Sequence, residues 1–319
     1  MAALEERIVL EIGGTAGETV IGAATVTVFG PRSDAPPLAR EVVHAAVARS
    51  VRQLFTHLPT PDSTDESEDV HQARVAARRL RSDLRTFRSL VAADWAATLA
   101  DELQWFGRQL GSVRDADVLQ MTLTTIAESE PTLAPHAVRP LLDHFESDRS
   151  LARLQLRDTL EGDRCATLLG RLVRAAQAPD TTDAADQPAA DVLPRLARRP
   201  WRRLRRAVHA LDDDPTDAEL HQIRILAKRC RYAAEATEPA LRKPARKLAR
   251  STARIQDALG DLHDAIVITA RLEAAAQQEP QLAYTAGQLA GLLATRAHRS
   301  RSHWLEAWQR AERSVHKSL

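Results

Sequence analysis

From residue 38 onward, apolar residues recur every three or four positions, the spacing of one face of an α-helix. In Leu38–Leu58 they fall at Val47, Val51, Leu54, Phe55 and Leu58. The same period predicts a helix around His71. It predicts others over Ala92–Leu110, Asp115–Glu128, Val138–Ala176, Leu196–Leu211, Asp217–Thr237, Arg242–Leu259, Ala265–Gln277 and Gln281–Ser318. The first 30 residues differ. RIVLEI and TVIGAATVTVF are rich in β-branched residues and flank a turn-like GGTAGE, which predicts a β-hairpin. Residues 1–35 thus read as a short β segment with a linker. A second linker is expected at 178–191, where Pro179, Pro188 and four aspartates interrupt the helical period. The expected fold is all-α, with one helical repeat over 36–177 and another over 192–319, each long enough for a four-helix bundle.

Two motifs occur twice, in the same order. HQARVAARRLR (His71–Arg81) returns as HQIRILAKRCR (His221–Arg231), and LGSVRDADVL (Leu110–Leu119) returns as LGDLHDAIVI (Leu259–Ile268). The offsets are 150 and 149 residues, so the expectation is an internal duplication. At about 100° per residue, His71, Arg74, Arg78, Arg81 and Arg85 share an arc of roughly 80°. Ala73, Ala77, Leu80, Leu84 and Phe87 lie opposite. His221, Arg224, Lys228 and Arg231 repeat the arrangement, with Glu235 in place of a fifth base. A third basic face gathers Lys243, Arg246, Lys247, Arg250 and Arg254, turned away from Leu248, Thr252, Ile255 and Leu259. A fourth run, RLARRPWRRLRR (Arg195–Arg206), holds seven arginines and no acid, interrupted by Pro200.

Charge placement changes the picture that the net value of +1 gives. Acids collect in PDSTDESED (Pro61–Asp69), in the 178–191 segment and in DDDPTD (Asp212–Asp217), while bases collect on helices. A solvated helix face ordinarily interleaves acids and bases at i,i+4, because like charges at that spacing repel. The three faces lack that interleaving, which points to an anionic partner. For Arg195–Arg206 the solvated and binding readings weigh evenly. Guanidinium forks bind phosphate oxygens through paired bonds and stay charged at physiological pH. Rows of them suit a phosphate polymer. Single-strand nucleic-acid binders interleave aromatics for stacking. Here only Phe87 and Tyr232 accompany the rows, and no helix-turn-helix surrounds Gln72 or Gln222. Inorganic polyphosphate is therefore the favoured partner and nucleic acid a poor one.

The paired motif H-x-x-R-x-x-x-[RK]-R-x-R, each followed by L-G-x-x-[RH]-D, resembles the CHAD family, the conserved histidine α-helical domain, over roughly Leu38–Leu319. The resemblance implies two four-helix bundles related by a pseudo-twofold, basic residues lining a groove or pore, polyphosphate binding and association with polyphosphate granules. The implied contacts are His71, Arg74, Arg78, Arg81 and Arg85, then His221, Arg224, Lys228 and Arg231, with Arg246, Lys247 and Arg250. The chain departs from even halves, since Thr98 and Asp101 align with Lys247 and Arg250, and Arg114 with His263. More affinity is expected in the second half. Many relatives carry an N-terminal triphosphate-tunnel barrel opening with E-x-E-x-K; LEERIVLEI lacks that motif, so none is expected.

Asp115 and Asp264 are expected to cap helix starts or pair with a motif arginine. They could otherwise orient His71 and His221. A catalytic alternative has His71 or His221 accepting a phosphoryl group or acting as a general acid. No P-loop and no carboxylate cluster for Mg²⁺ accompanies them, so no enzyme activity and no cofactor are expected. Cys165 and Cys230 form no metal or disulfide pattern, which fits a reducing compartment. The chain start lacks a secretory pattern and VIGAATVTVFG is too short to span a bilayer, so a cytoplasmic protein without membrane contact is expected.

Overall fold

The computed structural model describes residues 12–13, 20–21, 36–60, 65–130, 133 and 135–316. Near the start, β1 (Ile12–Gly13) pairs antiparallel with β2 (Val20–Ile21), Ile12 opposite Ile21. The rest of the expected hairpin, and the linker up to residue 35, lie outside the described residues. Helices follow: α1 (Ala39–Thr56), α2 (Glu66–Thr86), α3 (Ala93–Ser129), α4 (Pro135–Glu161), α5 (Asp163–Gln177), α6 (Ala189–His209), α7 (Asp217–Leu241), α8 (Lys243–Gln278) and α9 (Ala283–His316). The all-α expectation holds.

The acidic loops have a structural use. Asp65 accepts a hydrogen bond from the Glu68 N–H at 3.1 Å and caps α2, whose first turn carries Glu66, Glu68 and Asp69. Thr216 and Glu219 form a reciprocal capping box on α7. Acids there complement the positive end of the helix dipole, which is why they concentrate just ahead of the basic helices.

Several expected boundaries shift. α3 and α8 run unbroken through Gly111 and Gly260, where the pattern predicts breaks. The segment Val138–Ala176 is two helices, divided at Gly162, which N-caps α5. The 178–191 segment is pinned rather than loose. Ala92 donates to the Asp180 carbonyl at 2.9 Å, Ala39 to Gln187 at 2.9 Å and Ala189 to Pro37 at 2.9 Å, and Arg40 pairs with Asp186 at 2.9 Å.

Two compact units emerge, and they do not follow the halves 36–177 and 192–319. One unit runs to Arg114 and resumes over Arg153–Leu196; the other takes Asp115–Ala152 and Ala197–Leu319. Helices of 37 and 36 residues are about 55 Å long at 1.5 Å per residue, longer than one small bundle. In the first unit α1 packs on α2 and α5. Ala73, Ala77, Leu80, Leu84 and Phe87 are all buried, as the sequence pattern requires. The second unit has two apolar clusters. One joins Trp201, Leu204, Ile223, Leu248, Ile255, Leu259 and Trp308. The other joins Leu119, Leu123, Leu141, Phe145, Leu272 and Leu289. Both cysteines are buried; burial pushes the Cys165 thiol up to about 11 and raises Cys230 as well. Neither is a reactive thiolate.

Arg242, between α7 and α8, has φ 49° and ψ −119°. A side chain strains this conformation and glycine does not. Arg242→Gly is expected to stabilise the protein by about 1 kcal/mol, read as a higher denaturant midpoint with unchanged slope.

Candidate functional site

The two sequence motifs meet in space. In the first unit α2 and α3 run antiparallel, and the Arg74 guanidinium lies across Gly111, with Nε and Nη2 3.6 Å from where a Cβ would sit. In the second unit Arg224 lies over Gly260 in the same way, its Nε 4.0 Å from that point. Each L-G motif thus supplies a low spot over which the motif arginine passes. Reading the sequence alone leaves these glycines without a role, and their recurrence three residues before Arg114 and His263 is the signal that marks them. At Gly111 a methyl group fits at ordinary contact distance but a longer side chain does not. Gly111→Ala is expected to be tolerated and to gain up to about 1 kcal/mol of helix propensity. Gly111→Leu is expected to displace Arg74 and weaken anion binding, which a titration of the two variants separates.

Around His71 the charges are mostly of one sign. Burial, then Arg114, with Arg78 and Arg74, hold its imidazole below the ordinary range; Glu68 opposes them. Arg81 donates to Gln104 Oε1 at 3.0 Å. Burial and Arg85, with Arg108, lower its affinity for its proton, and Asp101 acts against them. His71, Arg74, Arg78 and Arg81 are half-buried, whereas Arg85, in the last turn, is exposed. Arg108 and Arg114 belong to this field although the sequence reading does not place them in it.

In the second unit the His221 and His263 rings are in tilted contact, with centroids 4.4 Å apart and planes at 38°. Burial first, then Arg224, His221 and Lys228, push His263 down to about 4, against the pull of Asp115. Burial, Arg224 and Lys228 also lower His221. His221 Nδ1 is buried without a hydrogen-bond partner among the described residues. α3 and α8 continue through Asp115 and Asp264, so neither caps a helix start and that half of the expectation is corrected, while the motif arginine Arg224 does act on the Asp264 carboxyl. Propensity for a break at glycine is overridden by the packing of residues on either side, such as Leu259 and Leu262.

At the start of α8, Lys243, Arg246, Lys247, Arg250 and Arg254 line a cavity of about 270 Å³ with Ser251 and Ser314. Its lining includes no carboxylate. Between this cavity and the histidine pair the cationic row is interrupted. Arg231 donates to Glu235 Oε1 at 2.8 Å, so Glu235 both replaces a fifth base and engages the fourth. Arg246 also pairs with Glu238 at 3.3 Å. These two arginines therefore have counter-charges within the chain, contrary to the expectation of faces without acids; both acids lie at short range on α7. The α3 stretch that aligns in sequence with the cavity offers something different. Asp94, Trp95, Thr98 and Leu99 line a mixed cavity of about 360 Å³ with Arg171 and Arg174 of α5.

Comparison with known proteins identifies the fold and the family. Two Mycobacterium tuberculosis proteins, MT2285 (strain CDC 1551 / Oshkosh) and Rv2226 (strain ATCC 25618 / H37Rv), are 30% identical over 301 residues, 91% of this chain and 56% of theirs. The chain thus spans little more than half the length of these relatives. The solved structure of the CHAD domain from the plant Ricinus communis covers 90% of this chain and 94% of its own at 25% identity, with a TM-score of 0.68. PptA from Streptomyces chartreusis shares the fold, with a TM-score of 0.71 at 23% identity over 86% of this chain and all of PptA. The CHAD domain family profile matches residues 45–273, a stretch that holds both histidine motifs, both glycine seats and the five bases of the cationic cavity, and the chain belongs to that family.

Proposed function

We propose that this chain binds inorganic polyphosphate without turning it over, using the cationic faces of α2, α7 and α8, and that it thereby joins polyphosphate granules in the cytoplasm. The observation that carries the reading is the α8 cavity, where five bases and two hydroxyls converge without a lining acid. Hydroxyls and guanidinium forks together are the donor set for phosphate oxygens. Burial first, and neighbouring cations after it, lower the proton affinities of His71, Arg81, His221 and His263 in both units. Phe87 and Tyr232, the aromatics that accompany the basic rows, are buried and present no stacking surface. That favours a polyanion without bases over single-stranded nucleic acid. No helix among the described residues is long and apolar enough to cross a membrane.

The non-catalytic part of the proposal rests on the same electrostatics. An imidazole surrounded by cations holds its proton poorly, so the acid form needed to protonate a leaving group is scarce at neutral pH. Incubation with long-chain polyphosphate and Mg²⁺ should leave chain length unchanged and give no phosphohistidine; shortening would overturn this part.

Titration with polyphosphates of graded length tests the binding. Affinity should rise with length, with triphosphate binding weakest. It should fall about 300-fold between 50 and 200 mM salt, as expected for about six phosphate contacts on a single-stranded polyanion that release counterions. Equal competition by single-stranded RNA at matched phosphate concentration would refute the selectivity.

A further inference from the structure

α6 carries a second cationic surface of a different kind. Its apolar side is fully engaged: Ala197, Trp201, Leu204 and Val208 are buried, and Trp201 packs against Trp308 of α9 in a tilted contact with centroids 5.4 Å apart. Its other side is arginine. In the second unit Arg199, Arg202 and Arg206 share an arc of about 60°. Arg203 flanks them on one side and Arg198 and Arg205 on the other, so together they cover roughly 160° of the helix. All six are exposed. Among the described residues, none of these guanidinium groups is in an ion pair or hydrogen bond. Elsewhere the exposed helices pair their arginines at i,i+4, as Arg139 does with Asp143 and Arg310 with Glu306. α6 instead sets Arg198 against Arg202, Arg199 against Arg203 and Arg202 against Arg206 at that spacing, where like charges repel.

The ridge is separate from the α8 cavity. α6 meets α9 through Trp308 and through His209, whose Nε2 lies 2.7 Å from Glu312 Oε1. Ser314, which lines the cavity, is two residues from Glu312 and so about 200° around α9. The last turns of α9 therefore stand between ridge and cavity.

We propose that the α6 ridge is a second, independent docking face for a linear polyanion, so that one chain holds two stretches of polyphosphate and bridges them. This rests on the polyphosphate reading above and extends it from a single binding surface to a cross-linking function. A straight convex ridge of forks suits a single file of phosphates. Duplex nucleic acid fits less well, because the arc offers no Asn or Gln for base edges. An anionic bilayer fits less well because no exposed large apolar side chain lies on α6 to enter it.

Light scattering of full-length protein with polyphosphate of about 100 phosphates, long enough to span two faces, tests the proposal. The wild type should scatter strongly at intermediate ratios and clear in excess polyphosphate, as bridging agents do. Arg199→Glu with Arg202→Glu and Arg206→Glu should cut scattering about tenfold, while short-chain affinity stays within about threefold, since only one of two faces is lost. The corresponding glutamine variant should behave in the same direction and melt no lower than wild type, because exposed like charges are removed. Undiminished scattering in both variants overturns the proposal. Unchanged scattering with lost binding to a duplex DNA also overturns it and assigns the ridge to nucleic acid. Failure of the polyphosphate reading itself looks different: the wild type then neither binds the short chain nor scatters.

Discussion

Replacing Arg78 and Lys228 together by glutamate should lower affinity for short-chain polyphosphate at least about 100-fold, leaving weak residual binding on the α8 cavity and on α6. Each residue sits at the middle of its row. Arg78 lies between Arg74 and Arg81, and Lys228 between Arg224 and Arg231; all six are half-buried. A hydrogen bond to a charged group contributes about 1.5–3 kcal/mol, so each row loses about that much, and reversal adds repulsion that brings the loss in each row to about 3 kcal/mol or more. Every 1.4 kcal/mol is tenfold in affinity, which puts the loss at two orders of magnitude or more. The fold should survive. The apolar faces behind these helices are untouched, and a glutamate among arginines at i,i+3 and i,i+4 relieves repulsion. Far-UV circular dichroism should stay helical and the melting temperature should not fall. Arg78→Gln with Lys228→Gln should lose less affinity, since it deletes charge without reversing it. Retained short-chain affinity in the folded glutamate variant would remove α2 and α7 from the site.

The helical fold and the direction of its basic faces are legible in the sequence because both depend on local periodicity. Ala73, Leu80 and Phe87 fall on the apolar side of α2 by spacing alone, and all three are buried. What spacing does not carry is tertiary. Gly111 and Gly260 look like helix breakers, since glycine costs about 1 kcal/mol inside a helix, yet they lie within long packed helices and seat arginines from a neighbouring helix. The fate of Arg231 was half legible. Glu235 is visible as a missing base, but its 2.8 Å bond to Arg231 depends on rotamers. The division into units is also hidden, because α3 and α8 exceed the length of the segments that periodicity and glycine together delimit. The α8 cavity was half legible too: helix geometry aligns its five bases, but only the fold brings Ser314 of α9 alongside.

Polyphosphate binding should strengthen as pH falls from about 6.5 toward 4.5 and stay flat above about 7, with protons taken up on binding. Histidine titrates near 6.5 when unperturbed, and sequence alone places the onset of strengthening there. The structure extends the window of strengthening to lower pH, because the free values lie lower. Burial and Arg114, Arg78 and Arg74 depress His71 against Glu68. Burial, Arg224 and Lys228 depress His221, which touches the His263 ring. His263 falls to about 4 under burial, Arg224, His221 and Lys228, against Asp115. In the free protein these groups bind fewer protons than in the unfolded chain between their folded values and 6.5. Folding stability therefore drops as pH falls through that window, by at most about 1.4 kcal/mol per pH unit for each group. A bound polyanion reverses the local potential and raises all three values toward or past 6.5. The complex then holds more protons than the free protein, and linkage requires tighter binding at lower pH. Calorimetry at pH 5.5 in buffers of different ionisation enthalpy should register proton uptake. His263→Gln should reduce that uptake and flatten the pH profile while preserving binding at pH 7.5, where its imidazole is neutral in any case. Affinity that is constant between pH 7.5 and 4.5, or protons released on binding, would show that the histidines stand outside the field of the bound phosphate chain.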